Sequence, residues 1–233
     1  MHNINDEKEA LILCGGLGTR FKEVDENIPK SLAIVSGQPI IKWLISDLIN
    51  QNFKRIILAT GHMSFLLQQY VQEEFGDMII FSNENKPLGT GGAIKNAQHF
   101  FKSESFLVIN GDSRIIYEFD RLYNFHKQNK ADASILLSSK ISGTDYGNIE
   151  ISKNNQITKF LEKKSMAGIK ITSSGVYLLN TNLLKSMKEN IYLSLESEVF
   201  PEWVNNRKVF GHVVDIPFID IGTKERFEKA IFN

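Results

Sequence analysis

Residues 11–30, LILCGGLGTRFKEVDENIPK, join an apolar run to a glycine-rich loop that ends in two cations. Ala10, Leu11, Ile12, Leu13 and Cys14 are continuous apolar residues, the pattern of a short strand buried on both faces. The run breaks into Gly15, Gly16, Leu17, Gly18, Thr19 and Arg20, and Pro29-Lys30 comes ten residues later. Three glycines so close together let the main chain turn sharply and bring bare N–H groups up to a ligand. Arg20 adds a planar fork of donors suited to phosphate oxygens, and Lys30 adds a mobile positive charge. Such a loop, at the end of a first strand, is built to hold a polyphosphate.

Two other glycine loops are excluded by the residues after Gly18. A Walker A loop needs Lys and then Ser or Thr there, and this chain has Thr19-Arg20. A dinucleotide fingerprint needs Gly or Ala three residues on, and that residue is Phe21.

The chain has 233 residues, enough for one large α/β domain or two small ones. Its formal net charge is zero, which argues against a general nucleic-acid binder, so positive charge for a phosphate must be local. Cys14 is the only cysteine; no internal disulfide or cysteine zinc cluster is expected, and its apolar setting suggests a buried thiol. With no long apolar run and a polar start, MHNINDEKE, the expectation is a soluble, cytoplasmic protein with no membrane partner.

Apolar patterning continues as alternating strands and helices. Residues 31–35 read as extended, and Pro39 as the first position of a helix with Ile41, Leu44, Ile45 and Leu48 on one stripe. Residues 55–60, 78–82 and 106–110 read as strands, 64–75 and 93–101 as helices, and 83–92 as a loop. This alternation predicts a mostly parallel sheet with helices on both faces. Ligands of such sheets sit beyond the carboxyl ends of the strands, a rule that gathers 15–20, 83–92 and Asp112 at one rim. In the second half, residues 133–139, 147–151, 157–161 and 171–179 read as strands of a mixed-sheet extension over that rim. Helices near 181–188 and 195–205, a strand at 209–214 and a last helix capped by Thr223 complete the chain.

Asn110-Gly111-Asp112 puts a carboxylate just past a buried strand, where it suits either Mg²⁺ against a phosphate or a plain Asx turn. Asp220 lies among apolar neighbours in FIDIGT, residues 218–223, and needs a partner there. A metal or a capped turn would serve. The glycines of residues 86–93, KPLGTGGA, suggest close approach of a flat ligand such as a base. Glu162 with Lys163 could clasp a sugar hydroxyl and a phosphate, although a solvated charge run is the commoner meaning of such a pair, and the SSG of residues 173–175 reads as a strand with a glycine window onto a ligand.

In order and together, GG-x-GTR with PK, PLGTGGA, NGD, Tyr146-Gly147, LEKK, SSGVYLLN and DIGT resemble the sugar-1-phosphate nucleotidyltransferases, over nearly the whole chain. Within that family, LCGGLGTR, PLGTGGAIK and FIDIGT are most similar to the D-glycero-D-manno-heptose 1-phosphate guanylyltransferases. The resemblance implies a Rossmann-like nucleotidyltransferase fold in one domain, nucleotide-binding over about 10–115 and sugar-phosphate-binding over about 116–233. It implies transfer of a guanylyl group from GTP to a sugar 1-phosphate, pyrophosphate release and a role in surface polysaccharide synthesis. A uridylyl- or cytidylyltransferase, or a non-catalytic nucleotide-sugar sensor, are the alternatives. By the same resemblance Arg20, Lys30 and Asp112 would be catalytic, and Asp112 and Asp220 would hold Mg²⁺. Cys14, Gly15, Gly16, Gly18, Thr19, Arg20, Glu84, Gly89, Thr90 and Gly111 would bind the nucleotide, and Tyr146, Gly147, Glu162, Lys163, Ser174 and Gly175 the sugar phosphate. The partners implied are GTP and the sugar 1-phosphate, and the resemblance leaves room for a homodimer. Lys164 stands where many relatives have proline, and Ser113-Arg114 where many have threonine and an aromatic residue. Arg114 is thus a candidate modifier of sugar specificity. The chain also ends too soon after DIGT for the β-helical acyltransferase domain of some relatives.

Overall fold

The computed structural model describes residues 7–16, 27–140, 148–161 and 171–231. β1 (Glu9–Leu13) is followed, after a 3₁₀ turn at Lys30–Leu32, by a small hairpin of β2 (Ile34–Val35) and β3 (Gln38–Pro39). Then come α1 (Ile40–Asn50), β4 (Arg55–Thr60), α2 (Ser64–Phe75), β5 (Ile79–Asn83), α3 (Gly89–Asn96) and β6 (Ser105–Asn110). β7 (Ser113–Ile115), α4 (Phe119–Gln128), β8 (Ala133–Ser138), β9 (Asn148–Ile151), β10 (Ile157–Leu161) and β11 (Thr172–Asn180) follow. A π turn at Leu195–Val199 runs into α5 (Phe200–Asn206), and β12 (Val209–Val214), β13 (Phe218–Asp220) and α6 (Lys224–Ile231) end the described chain.

Seven strands form one sheet in the order β12-β8-β11-β6-β1-β4-β5. All run in one direction except β11, which is antiparallel to both β6 and β8. Alternation along β1 explains why it is apolar on both faces. Ala10 and Ile12 pack with Ile41, Leu44 and Leu58 on the α1 side. Leu11 packs with Ile57, Ala93 and Ile94 on the α3 side. Each fully buried Ile or Leu contributes about 1.5–3 kcal/mol, so this central strand is well anchored. Its carboxyl end can therefore carry a loop without help from that loop. Among the described residues no helix is long and apolar enough to cross a membrane.

Several expectations need correction. Of the four strands expected over the rim, β8 and β11 belong to the main sheet itself, and β9 and β10 form a separate antiparallel pair. Helix α3 starts at Gly89, four residues before the expected start, because its glycines fit a close contact with another segment of chain. Residues 30–32 are a 3₁₀ turn, not extended, and Pro39 is the residue before α1, with extended ψ of 139°. Helix α4 and strand β7 were not expected from the sequence. Glu118 precedes α4 without any side-chain cap, and β7 is only three residues long, too short for a period to show.

Candidate active site

The carboxyl ends of β1, β5 and β6 open onto one cleft of about 460 Å³. Leu13, Cys14, Gly15, Gly16 and Lys30 form its floor on the β1 side, and Asn110, Gly111 and Asp112 continue it from β6. Glu84, Pro87, Gly89 and Thr90 form a third wall, faced by Tyr192, Ser194 and Glu196.

The crossing from β1 to β6 is tight. The Gly111 amide donates to the Leu13 carbonyl at 3.0 Å, and a Cβ on Gly111 would fall 2.6 Å from that oxygen and 2.8 Å from Cys14 Sγ. Glycine is required there by close approach of backbone. Gly15 is confined by a side chain instead: a Cβ on it would lie 2.9 Å from Glu84 Oε1. Among the described residues, nothing lies within 4 Å of where a Gly16 Cβ would be, so its missing side chain leaves space in the cleft.

Glu84 is held at the end of β5. Its main-chain amide donates to the Thr60 carbonyl at 2.8 Å, and its Oε2 accepts from the Leu88 amide at 3.0 Å. Burial pushes the Glu84 carboxyl above its usual value, against the lowering effect of that amide. A carboxylate so placed can receive two adjacent donors from a ligand.

The glycines after Leu88 serve the fold. The Gly91 and Gly92 amides donate to the Leu193 carbonyl at 2.8 and 3.2 Å, and a Cβ on Gly89, whose φ is +70°, would sit 2.6 Å from that same oxygen. The close approach expected of a flat base is made instead by the chain at residues 191–193. Gly89 and Thr90 still line the cleft.

At the centre, Lys30 Nζ is ion-paired and hydrogen-bonded to Asp112 Oδ2, and the Ser113 hydroxyl donates to Asp112 Oδ1 at 2.9 Å. Burial pushes the Asp112 carboxyl up, but the Lys30 charge and these hydrogen bonds outweigh it and hold it below the usual carboxylate range. Asp220 is brought alongside by strands β7 and β13, in which Asp220 pairs with Ser113. Arg226 Nη1 donates to Asp220 Oδ2 at 2.8 Å and the Gly222 amide to Oδ1. Burial, then the neighbouring Asp112 charge, raises the Asp220 carboxyl despite Arg226. Asp112 lines the cleft and Asp220 lies beside it, next to the cleft-lining Gly222; two neighbouring carboxylates are the hard oxygen donors that suit Mg²⁺. No group of three or more His, Cys, Asp or Glu that could hold a metal occurs among the described residues, so phosphate oxygens and water would have to complete the shell.

Other anticipated residues sit elsewhere or are occupied. The Ser174 hydroxyl is buried and donates to the Leu136 carbonyl at 2.9 Å, so it is used inside the sheet rather than in the cleft. Gly175, φ +79°, is a window onto Asn110, whose Cβ and Nδ2 lie 3.1 Å from the place of a Cβ. Arg114 does not reach the metal side: it forms a forked pair with Asp47, at 2.7 and 3.1 Å, and stacks 4.4 Å from the Trp43 ring centre. Its candidate role in sugar specificity is withdrawn. Cys14 lines the cleft with its thiol pushed up to about 12, chiefly by burial. Gly18, Thr19, Arg20, Tyr146, Gly147, Glu162 and Lys163 lie outside the described residues.

Glu196 was not singled out from sequence, and Asn110 and Tyr177, though they lie in the NGD and SSGVYLLN motifs, were given no role there. Glu196 accepts from Thr90 Oγ1 at 2.8 Å and from the Tyr177 hydroxyl at 3.2 Å. An acid in a π turn with no local motif gives no signal until the contact 106 residues away is seen.

Residues 9–232 match the profile of the family described as NTP_transferase, nucleotidyl transferase. Similar sequences include the D-glycero-alpha-D-manno-heptose 1-phosphate guanylyltransferase of Campylobacter jejuni, 31% identical over 226 residues that cover 97% of this chain and 99% of that one. The protein of the same description from Aneurinibacillus thermoaerophilus is 30% identical over 223 residues, 95% and 96% of the two chains. Among solved structures, HddC from Yersinia pseudotuberculosis superposes with a TM-score of 0.86 at 30% identity, over 97% of this chain and 98% of that one. Its complex with GMP-PN gives 0.83 over the same shares. With its parallel sheet, its cleft beyond the strand ends and a match along almost its full length, this chain belongs to the nucleotidyl transferase family.

Proposed function

We propose that the protein transfers a guanylyl group from GTP to D-glycero-α-D-manno-heptose 1-phosphate, giving the GDP-sugar and pyrophosphate for surface polysaccharide synthesis. The observation that carries this is a single cleft with Glu84 at one end and the Lys30–Asp112 pair at its centre. The names of the relatives and the nucleotide complex of HddC support the same reading. Guanine presents its ring N1–H and its amino group side by side, and the Glu84 carboxylate can accept both.

In the reaction, a phosphate oxygen of the sugar attacks the α-phosphorus of GTP. The bond from that phosphorus to the bridging oxygen breaks in line, and pyrophosphate leaves. The nucleophile is already an anion, so no general base is needed. Lys30 neutralises charge on the phosphates, the loop amides at Gly15 and Gly16 orient them, and Arg20 would add its fork from the same loop. Asp112 and Asp220 would hold Mg²⁺, which supplies further charge neutralisation when bound.

The test is pyrophosphate release from each of GTP, UTP, CTP and ATP against a panel of sugar 1-phosphates. Fastest release with GTP and the heptose phosphate is expected. Equal or faster release with UTP, or none with any pair, would overturn the proposal.

A further inference from the structure

Asn110 ends β6 and lines the cleft, and its Oδ1 is buried with no hydrogen-bond partner among the described residues. Its orientation follows from a chain of donors and acceptors that starts at Glu196. Thr90 Oγ1 accepts from the Leu195 amide at 2.8 Å and gives its proton to Glu196 Oε2. The Tyr177 hydroxyl gives its proton to Glu196 Oε1. With that proton spent, the Tyr177 oxygen can only accept; it does so from Ser173 Oγ at 3.4 Å, and the Asn110 side chain acts on it as a further donor group. The amide nitrogen of Asn110 therefore faces Tyr177, and its oxygen is left for something else.

Packing holds this orientation. β11 is irregular between Ser173 and Val176, and Gly175 there, at φ +79°, leaves only enough room for Asn110. Any side chain at 175 would displace the amide. A buried acceptor without a donor among the described residues is costly, so a ligand that brings an N–H or O–H there is favoured. Phosphate oxygens bring none. Sugar hydroxyls do.

Position narrows the choice. β6 lies between β1 and β11, so Asn110 is on the side of the rim away from Glu84 and β5. It stands two residues before Asp112, where the phosphates would lie. In a sugar 1-phosphate the hydroxyl nearest the phosphate is the one on the carbon next to the phosphate-bearing carbon. We propose that Asn110 reads that hydroxyl as an acceptor, with its polarity set by Glu196 through Tyr177. This assignment rests on transfer to a sugar 1-phosphate as proposed above. Asn110 is then a specificity residue, and Tyr177 and Glu196 are positioning residues.

The test uses whichever sugar 1-phosphate the enzyme turns over best, beside its 2-deoxy counterpart. Wild-type kcat/KM should fall about 10-fold or more on the 2-deoxy compound, since an unmet buried acceptor is penalised. Asn110→Ala should lose about as much on the natural sugar and show roughly 2-fold discrimination or less, with the KM for GTP unchanged. Tyr177→Phe keeps the buried ring but frees the amide to turn, and its discrimination should fall between the two. Full discrimination in Asn110→Ala, or none in the wild type, would overturn the assignment while leaving the transfer reading intact. Absence of pyrophosphate release with every sugar 1-phosphate would remove both.

Discussion

The main-chain amide of Ile221 donates to the carbonyl oxygen of Asp112 at 3.0 Å, which ties the two acids of the site through backbone rather than through their own side chains. Each carboxylate keeps a separate cation, Lys30 for Asp112 and Arg226 for Asp220. The framework that sets them side by side thus survives when either carboxylate is altered.

Asp112→Asn and Asp220→Asn should each lower kcat at least about 100-fold while leaving the fold in place, because each removes a charge that is proposed to hold Mg²⁺. Titration of Mg²⁺ in steady-state assays, with circular dichroism as the fold check, measures this. Wild-type turnover by both variants at limiting Mg²⁺ would refute the metal assignment.

Lys30 stands against Asp112 in the cleft, so in the proposed reaction its charge would matter most as negative charge moves onto pyrophosphate. Lys30→Ala should reduce kcat by about 10²–10³-fold with a smaller change in the KM for GTP. A change confined to KM would reduce Lys30 to a binding role.

On the proposed reading of the base, Glu84→Gln would replace an acceptor with a donor opposite a donor of guanine. The loss for GTP should be on the order of 1–3 kcal/mol in kcat/KM, and smaller for UTP, so the preference for GTP narrows. An undiminished GTP preference in competition assays would show that Glu84 does not read the base.

Gly16 and Gly111 should separate binding from folding. Gly16 faces open space, so Gly16→Ala should leave stability within about 0.5 kcal/mol and raise the KM for GTP. Gly111→Ala drives a Cβ into the Leu13 carbonyl and should cost about 1–3 kcal/mol. Thermal unfolding of the two variants, beside their nucleotide kinetics, reports both effects. Equal destabilisation would contradict the packing described for them.

Burial favours the neutral form of the Cys14 thiol, pushed up to about 12, so little thiolate exists at pH 8. Alkylation by iodoacetamide at that pH should run about 10³-fold slower than for an exposed cysteine, and still be accelerating between pH 9 and 10. A plateau near pH 9 would mean an ordinary, accessible thiol.

What the amino-acid sequence determined by itself is whatever depends on neighbours within a few turns of chain. The runs at β1, β4 and β6 and the stripe of α1 carry their own periodicity, and a parallel sheet with a ligand rim at Gly15, Glu84 and Asp112 follows from them. The motifs PLGTGGA, NGD and DIGT marked stretches that do meet at that rim, although the glycines of the first proved to fit the chain at Leu193. Only the tertiary structure decided which partners distant residues take. The antiparallel β11 places Tyr177 beside Asn110, the short strands β7 and β13 join Asp112 to Asp220, and Thr90 meets Glu196. Arg114, in β7 beyond the end of β6, found Asp47 and Trp43 on α1 instead of a sugar. The physical reason is that a hydrogen bond or ion pair between residues a hundred positions apart leaves no local pattern; it exists only once burial of the sheet's two faces has closed the intervening chain.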